Sequence, residues 1–233
     1  MILSVDTSLG TAVALIDADG RARATAESPD PLGHAEVIGT LLHQALADAG
    51  VGEITHVVAG MGPGPFTGLR IGIAAARAFA LGRGIPVIPV PSHFAAALVV
   101  IDPSTGSGID STGPVAEPVE ASTRPVAEPV EASAGRFAIV TDARRREVAI
   151  SIFDGVDADG IPNLVEPTVL VPRADSEERL RGIHAIEVAT LDAAALARVG
   201  LRAARAGRVL ADAEPLYLRQ PDVTVPGAPK RVN

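Results

Sequence analysis

Three stretches of this sequence carry side chains that could do chemistry. Asp6-Thr7-Ser8 ends a short apolar run, Ile2–Val5. A carboxylate and two hydroxyls at a strand end can face a magnesium ion and hold phosphate oxygens. The same residues also close turns by bonding their own backbone, and both readings stand. The second stretch is Gly62-Pro63-Gly64-Pro65-Phe66-Thr67, placed between strand and helix where phosphate loops sit. It lacks the Gly-Lys-Ser/Thr of a P-loop, and Pro63 and Pro65 remove two backbone donors. It reads better as a rigid turn fixing the next helix, with Thr67 as N-cap and Phe66 as an exposed anchor for a partner. The third is Arg144-Arg145-Arg146, a local basic patch.

Other chemistries are excluded. His34, His43, His56, His93 and His184 include no pair three or four apart, so no helical metal pair exists. There is no cysteine and no Gly-x-Ser-x-Gly elbow, which removes thiol and serine-hydrolase readings, peptidase included. The net charge is −8, and Lys230 is the one lysine, which disfavours strong direct binding of nucleic acid. No apolar run reaches membrane-spanning length, and Met1–Asp6 has no basic leader, so a cytoplasmic protein is expected.

These residues need positioning elements. Ile2–Val5, Thr11–Asp17 and Arg21–Glu27 read as strands, the last two joined at Asp19-Gly20. His34–Ala49 is an amphipathic helix stopped by Gly50. Ile54–Ala59 and Ile85–Val90 are strands, and Ser92–Ile101 is a helical segment capped by Ser92. Residues 1–101 therefore form a first domain. Residues 102–135 contain Pro-Val-Ala-Glu-Pro-Val-Glu-Ala-Ser twice, at 114–122 and 125–133. Four prolines at that spacing predict a disordered insertion. Phe137–Thr141, Val148–Phe153 and a Leu164–Val171 strand broken by Pro167 open a smaller second domain, 136–233, with a helix at Leu191–Ala206.

The helix over Thr67–Leu81 is apolar or small on nearly every side. Its polar side chains after Gly68 are Arg70 and Arg77, seven apart and on one face. Such a helix must be covered on most sides. Gly68, Gly72 and Ala76 make a smooth strip for close approach. A patch of Val37, Ile38, Leu41, Leu42, Phe66, Gly68, Leu69, Gly72, Ile73 and Ala76 is the predicted partner interface, and an isolated chain is expected to form homodimers through it.

Strand, hairpin, hairpin, helix is how an actin-like half begins. The expected fold is α/β: a two-domain actin-like (ASKHA, ribonuclease H-like) fold with a reduced second domain. Actin-like enzymes need a second phosphate turn of Asp-x-Gly type, and Asp142-Ala143-Arg144 has no glycine. No Gly-Gly pair exists for an adenosine shelf. A stand-alone actin-like ATP-dependent phosphotransferase is thus the lesser alternative, resting on Asp6, Thr7 and Ser8 as nucleotide-binding residues.

Gly-Pro-Gly-Pro-Phe-Thr-Gly-Leu-Arg-Ile-Gly at 62–72 closely resembles the signature of the bacterial TsaB (YeaZ) family, with Pro65 where the family has Ser. Val5–Ser8 is similar to that family's opening, and Pro215–Arg219 to its ending. Residues 142–149 are similar to its Asp-Ala-Arg-Arg-Gly-Glu-Val-Tyr turn, with Arg146 for Gly and Ala149 for Tyr. The resemblance implies a non-catalytic subunit in the synthesis of threonylcarbamoyladenosine at position 37 of tRNA. It implies a TsaD homologue as partner and a TsaE homologue in the larger complex. It also implies no cofactor of its own, with ATP and metal in the partner subunits.

Overall fold

The computed structural model describes residues 1–30, 32–50, 52–105 and 135–219. The two repeat copies and Lys230 lie outside them, and so does the expected disordered insertion apart from its ends. The first sheet has the order β3-β2-β1-β4-β5. Strands β1 (Ile2–Asp6), β2 (Thr11–Ile16) and β3 (Ala22–Ser28) form an antiparallel meander, and β4 (His56–Gly60) and β5 (Val87–Val90) add in parallel. Helix α1 (His34–Ala49) precedes β4, α2 (Phe66–Arg83) joins β4 to β5, and α3 (His93–Ile101) follows β5.

The second sheet repeats this plan one strand short. Its order is β8-β7-β6-β9, from β6 (Phe137–Asp142), β7 (Glu147–Val156), β8 (Pro162–Pro172) and β9 (His184–Glu187), with β9 parallel to β6. Both meanders turn on the same tetrapeptide, Asp-Ala-Asp-Gly, at 17–20 and 157–160. In each, the first aspartate Oδ1 accepts the N–H groups two and four residues on, and the glycine has positive φ. Pro167 does not break β8. It sits in an edge strand, where a missing N–H is tolerated and the register slips. The sequence reading did not foresee β9 or the short helix α4 (Ser176–Arg179).

Alternation along the strands sorts the core. Leu3, Val5, Val13, Leu15 and Val57 face α1 and α2. Ile2, Ala14, Ile16 and Val58 face the other way, onto α5 (Ala193–Arg205). Helix α5 belongs to the second half of the chain but lies on the first sheet. Ser4 donates to the Ala193 carbonyl at 2.6 Å, and a Cβ on Gly200 would stand 2.4 Å from Val58 Cγ2, so only glycine permits this approach. Helix α3 sits between α5 and the second sheet, where Phe94 meets Phe153 edge-on at 5.3 Å. The layers are therefore α1/α2, first sheet, α5 with α3, second sheet. Arginines of α5 tie both turns: Arg198 donates to the Gly20 carbonyl and Arg205 to Ala18, while Arg202 donates to Gly160.

Candidate functional site

The Asp6-Thr7-Ser8 turn is buried and internally satisfied. Asp6 Oδ1 accepts the Ser8 N–H at 2.7 Å, and Oδ2 accepts the Ser92 hydroxyl at 2.5 Å. Ser92 Oγ in turn accepts the Gly62 N–H at 3.0 Å. Its single proton is committed to Asp6, so in the 2.8 Å contact between Ser8 and Ser92 the donor is Ser8. Thr7 donates to the Gly68 carbonyl at 2.8 Å. Gly60 makes room for the carboxylate, since a Cβ there would fall 1.8 Å from Asp6 Oδ2. Ser92 is thus not a side-chain cap for α3. Burial pushes the Asp6 carboxyl above its ordinary range, against hydrogen bonds from Ser92 and Ser8 that pull it down.

A raised carboxyl pKa gives stability that is present below the unfolded value of 3.8 and lost as pH rises through the folded value. Towards neutral pH the buried Asp6 carboxyl therefore costs stability. Asp6→Asn keeps the acceptor for Ser8 and can donate to Ser92. Its melting temperature at pH 7 should equal or exceed that of the parent, and the gap should narrow near pH 4. A clear loss at pH 7 would mean that the charge itself holds the turn.

The Gly-Pro loop is seated on this turn. Gly64 leaves no room for a side chain against Ser8, and Met61 N–H bonds the Val90 carbonyl. The Gly62–Pro63 peptide is cis. Helix α2 begins at Phe66 with Pro65 as N-cap, so Thr67 lies inside the first turn and caps nothing. Phe66 is not an exposed anchor. It is half-buried and stacks on Tyr217 at 4.2 Å, with the Arg70 guanidinium 3.8 Å from the ring centroid. Arg70 also donates to the Tyr217 hydroxyl, and Arg77 to the Ala213 carbonyl. The arginine face of α2 therefore meets this chain's own C-terminal segment.

The predicted interface patch needs correction on the same grounds. Ile38, Leu41, Gly68, Leu69, Gly72, Ile73 and Ala76 are buried inside this chain, and Val37 and Leu42 are half-buried. The smooth strip does receive a close neighbour, but it is Thr7: a Cβ on Gly72 would stand 2.2 Å from Thr7 Oγ1. Apolar periodicity picked out the face that the sheet buries. Exposed on the two helices are instead Gly39, Ala74, Ala78 and Leu81, with Leu81 84% exposed, among polar residues that include Glu36, Gln44, Asp48 and Arg77.

Between the halves lies a cleft of about 620 Å³. The first turn of α2 and His34 form one wall, the Asp142–Arg145 turn faces them, and Phe66, Ile71, Leu170 and Tyr217 supply apolar surface. Arg144, Arg145 and Arg146 have φ of 61, 54 and 63°, three successive non-glycine residues in the left-handed region. That conformation costs roughly 1–2 kcal/mol per residue, and strain of this kind gathers at ligand clamps and switches. Arg146 stands where the signature has glycine, which fits its φ. Behind the cleft, His93 bridges the halves, with Nδ1 2.7 Å from Ser151 Oγ and Nε2 3.0 Å from Thr141 Oγ1. Burial lowers its pKa to about 3, so the ring is neutral. The sequence signals for this network were slight: Ser92-His93 at a strand end, and Ser151 inside an apolar run. Among the described residues, no three His, Asp or Glu side chains are grouped to hold a metal ion.

Two like sheets, antiparallel meanders extended in parallel, and a cleft between them define a two-domain actin-like protein whose Asp6-Thr7-Ser8 turn is closed. The family model of TsaD, tRNA N6-adenosine threonylcarbamoyltransferase, matches residues 32–107. YeaZ from Pseudomonas aeruginosa superposes with a TM-score of 0.65 at 22% identity, over 93% of this chain and 99% of that one. Protein Rv3421c of Mycobacterium tuberculosis is 32% identical over 205 residues, which are 83% of this chain and 78% of that protein. Protein ML0378 of Mycobacterium leprae is 33% identical over 76% of this chain, which spans only 44% of that protein's length. The chain belongs to the same family as Rv3421c, and it has the YeaZ (TsaB) fold. Among the described residues, no helix is long and apolar enough to cross a membrane.

Proposed function

We propose that this chain is a non-catalytic partner subunit in the synthesis of threonylcarbamoyladenosine in tRNA, docking on and supporting a catalytic TsaD-type subunit. ATP, metal and a TsaE-type subunit belong to the rest of that assembly. The observation that carries the proposal is the outer face of α1 and α2. Ala74, Ala78 and Leu81 are exposed on α2, and Gly39 on α1, in a chain whose net charge is −8. Uncharged small residues let a partner's helices approach closely. The TsaD-family match at 32–107 spans both helices, so the catalytic protein would bring a similar pair and the contact would be pseudo-twofold. The same face would also pair two isolated chains as a homodimer. The closed Asp6 turn supports the absence of catalysis.

The test is co-purification with the TsaD homologue of the same organism, followed by titration. Ala74→Arg changes an exposed position and should leave the fold intact while weakening binding at least tenfold, about 1.4 kcal/mol. Unchanged affinity in the folded variant would move the docking face elsewhere. ATP turnover by the chain alone, abolished by Asp6→Ala, would favour the phosphotransferase alternative.

A further inference from the structure

We propose that residues 213–219 form a strap that holds the two arginines of α2 aside, with Tyr217 as its positioning residue, and so keeps the docking row of that helix open to a partner helix. This rests on the docking face of the proposed function. Arg70, Ala74, Arg77 and Leu81 recur at spacings of four, three and four, so they form one row along α2, and each is exposed. Half of the row that a partner helix would meet is therefore cationic. A helical side chain covers the turn N-terminal to its own Cα, and a long arginine stem lies on apolar surface when nothing else holds it. An unheld Arg77 would lie across Ala74. A guanidinium trapped there between two helices must shed its water without a counter-charge or keep the helices apart.

The strap removes both cations from the row. Arg77 donates to the Ala213 carbonyl, and Asp212 and Glu214, on either side of it in the chain, add negative charge there. Arg70 Nε donates to the Tyr217 hydroxyl at 2.9 Å, and its guanidinium lies over the Phe66 ring, which is itself stacked on Tyr217. Ala74 stays exposed between them. The strap is fixed to both lobes. The Leu216 N–H bonds the Met61 carbonyl at 2.8 Å on the first. On the second, Arg219 pairs with Glu147 and donates to the Arg144 carbonyl at 3.3 Å. None of residues 211–219 is buried. A segment with so little buried surface opens at less cost than the lobes unfold, so these side-chain contacts decide whether it stays seated.

The test is titration of the TsaD-type partner against full-length variants. Tyr217→Ala with Arg219→Ala removes the ring stack, the acceptor for Arg70 and the anchor on the second lobe. This unstrapped variant should stay folded by circular dichroism and bind about tenfold more weakly. Adding Arg70→Ala and Arg77→Ala should restore the parent's affinity, which a merely structural loss would not allow. In the parent background the two arginine changes, at exposed helix positions where alanine is favourable, should leave affinity within about twofold. Tyr217 is the one tyrosine and there is no tryptophan, so the emission of the free chain reports the strap directly. Its quenching by acrylamide should be well below that of free tyrosine amide and should rise in Arg219→Ala. The proposal is overturned by unchanged affinity in the unstrapped variant, or by failure of the arginine changes to restore it. It is equally overturned by an affinity loss of about tenfold from those changes alone, or by full quenching in the parent. The last two tests stand even if the unstrapped variant does not fold. If Ala74→Arg weakens docking while the unstrapped variant binds normally, the strap alone is wrong. If Ala74→Arg has no effect, the docking face is wrong and the strap falls with it.

Discussion

Gly72→Ala should destabilise this protein by about 2–4 kcal/mol, although it exchanges the poorest ordinary helix residue for the best. The new Cβ would lie 2.2 Å from Thr7 Oγ1, 2.8 Å from its Cγ2 and 3.0 Å from its Cβ. Thr7 is fully buried and cannot swing away without releasing the Gly68 carbonyl. The variant therefore adds overpacking to an unsatisfied buried acceptor. At a few degrees per kcal/mol for a chain of this size, the melting temperature should fall by roughly 10 °C. Gly82, on the same helix, has nothing within 4 Å of its would-be Cβ. Gly82→Ala should instead stabilise by about 0.5–1 kcal/mol. Calorimetry of both variants, with Thr7→Ala added to Gly72→Ala, separates the causes. Equal melting temperatures for Gly72→Ala and its parent would show that Thr7, in the turn after β1, and α2 are not in contact here.

Acidification should remove about 2–3 kcal/mol of stability between pH 6.5 and 4.5 through His93 alone. Its folded pKa of about 3 lies below the ordinary 6.5 because burial disfavours the cation. The unfolded chain takes up the proton first. This contribution is complete above pH 6.5 and falls by about 1.4 kcal/mol per unit as pH drops toward about 3. Asp6 works in the opposite sense, since its pKa is raised. His93→Gln keeps a donor and an acceptor for Ser151 and Thr141. Denaturant unfolding of that variant should show little loss over the same interval, and Asp6→Asn should steepen the parent's loss. Flat stability from pH 6.5 to 4.5 in Asp6→Asn, where the opposing carboxyl is gone, would place His93 in contact with water.

Much of this fold is written in local pattern. The hairpin at Asp19-Gly20, the helix His34–Ala49 and the second, reduced half follow from turn chemistry and apolar period. The sites were harder to read because their residues meet only in three dimensions. Asp6, Ser92 and Gly62 are separated by up to 86 positions, and no spacing rule links them. The patch on α1 and α2 failed for a related reason. Hydrophobicity marks a surface for burial but does not say whether the sheet or a partner buries it, and here the sheet took the leucines and glycines. Arg144–Arg146 was legible only as charge, because nothing in three consecutive arginines announces a left-handed turn. Ser92 was read as a cap from its place before a helix, while its hydroxyl is drawn to the carboxylate of Asp6.

The crossing of α5 from the second half onto the first sheet makes the molecule indivisible in folding. Neither half closes its own core: β1 and β4 would lose the lid over Ile2 and Val58, and α5 would be left with a bare flank at Gly200. The internal duplication thus yields two architectural lobes but one cooperative unit. A lobe-by-lobe unfolding intermediate has no stable structure to occupy. Damage to either lobe is felt across the whole chain, and hinge motion at the cleft can go only as far as α5, tied by its arginines to a turn in each lobe, allows.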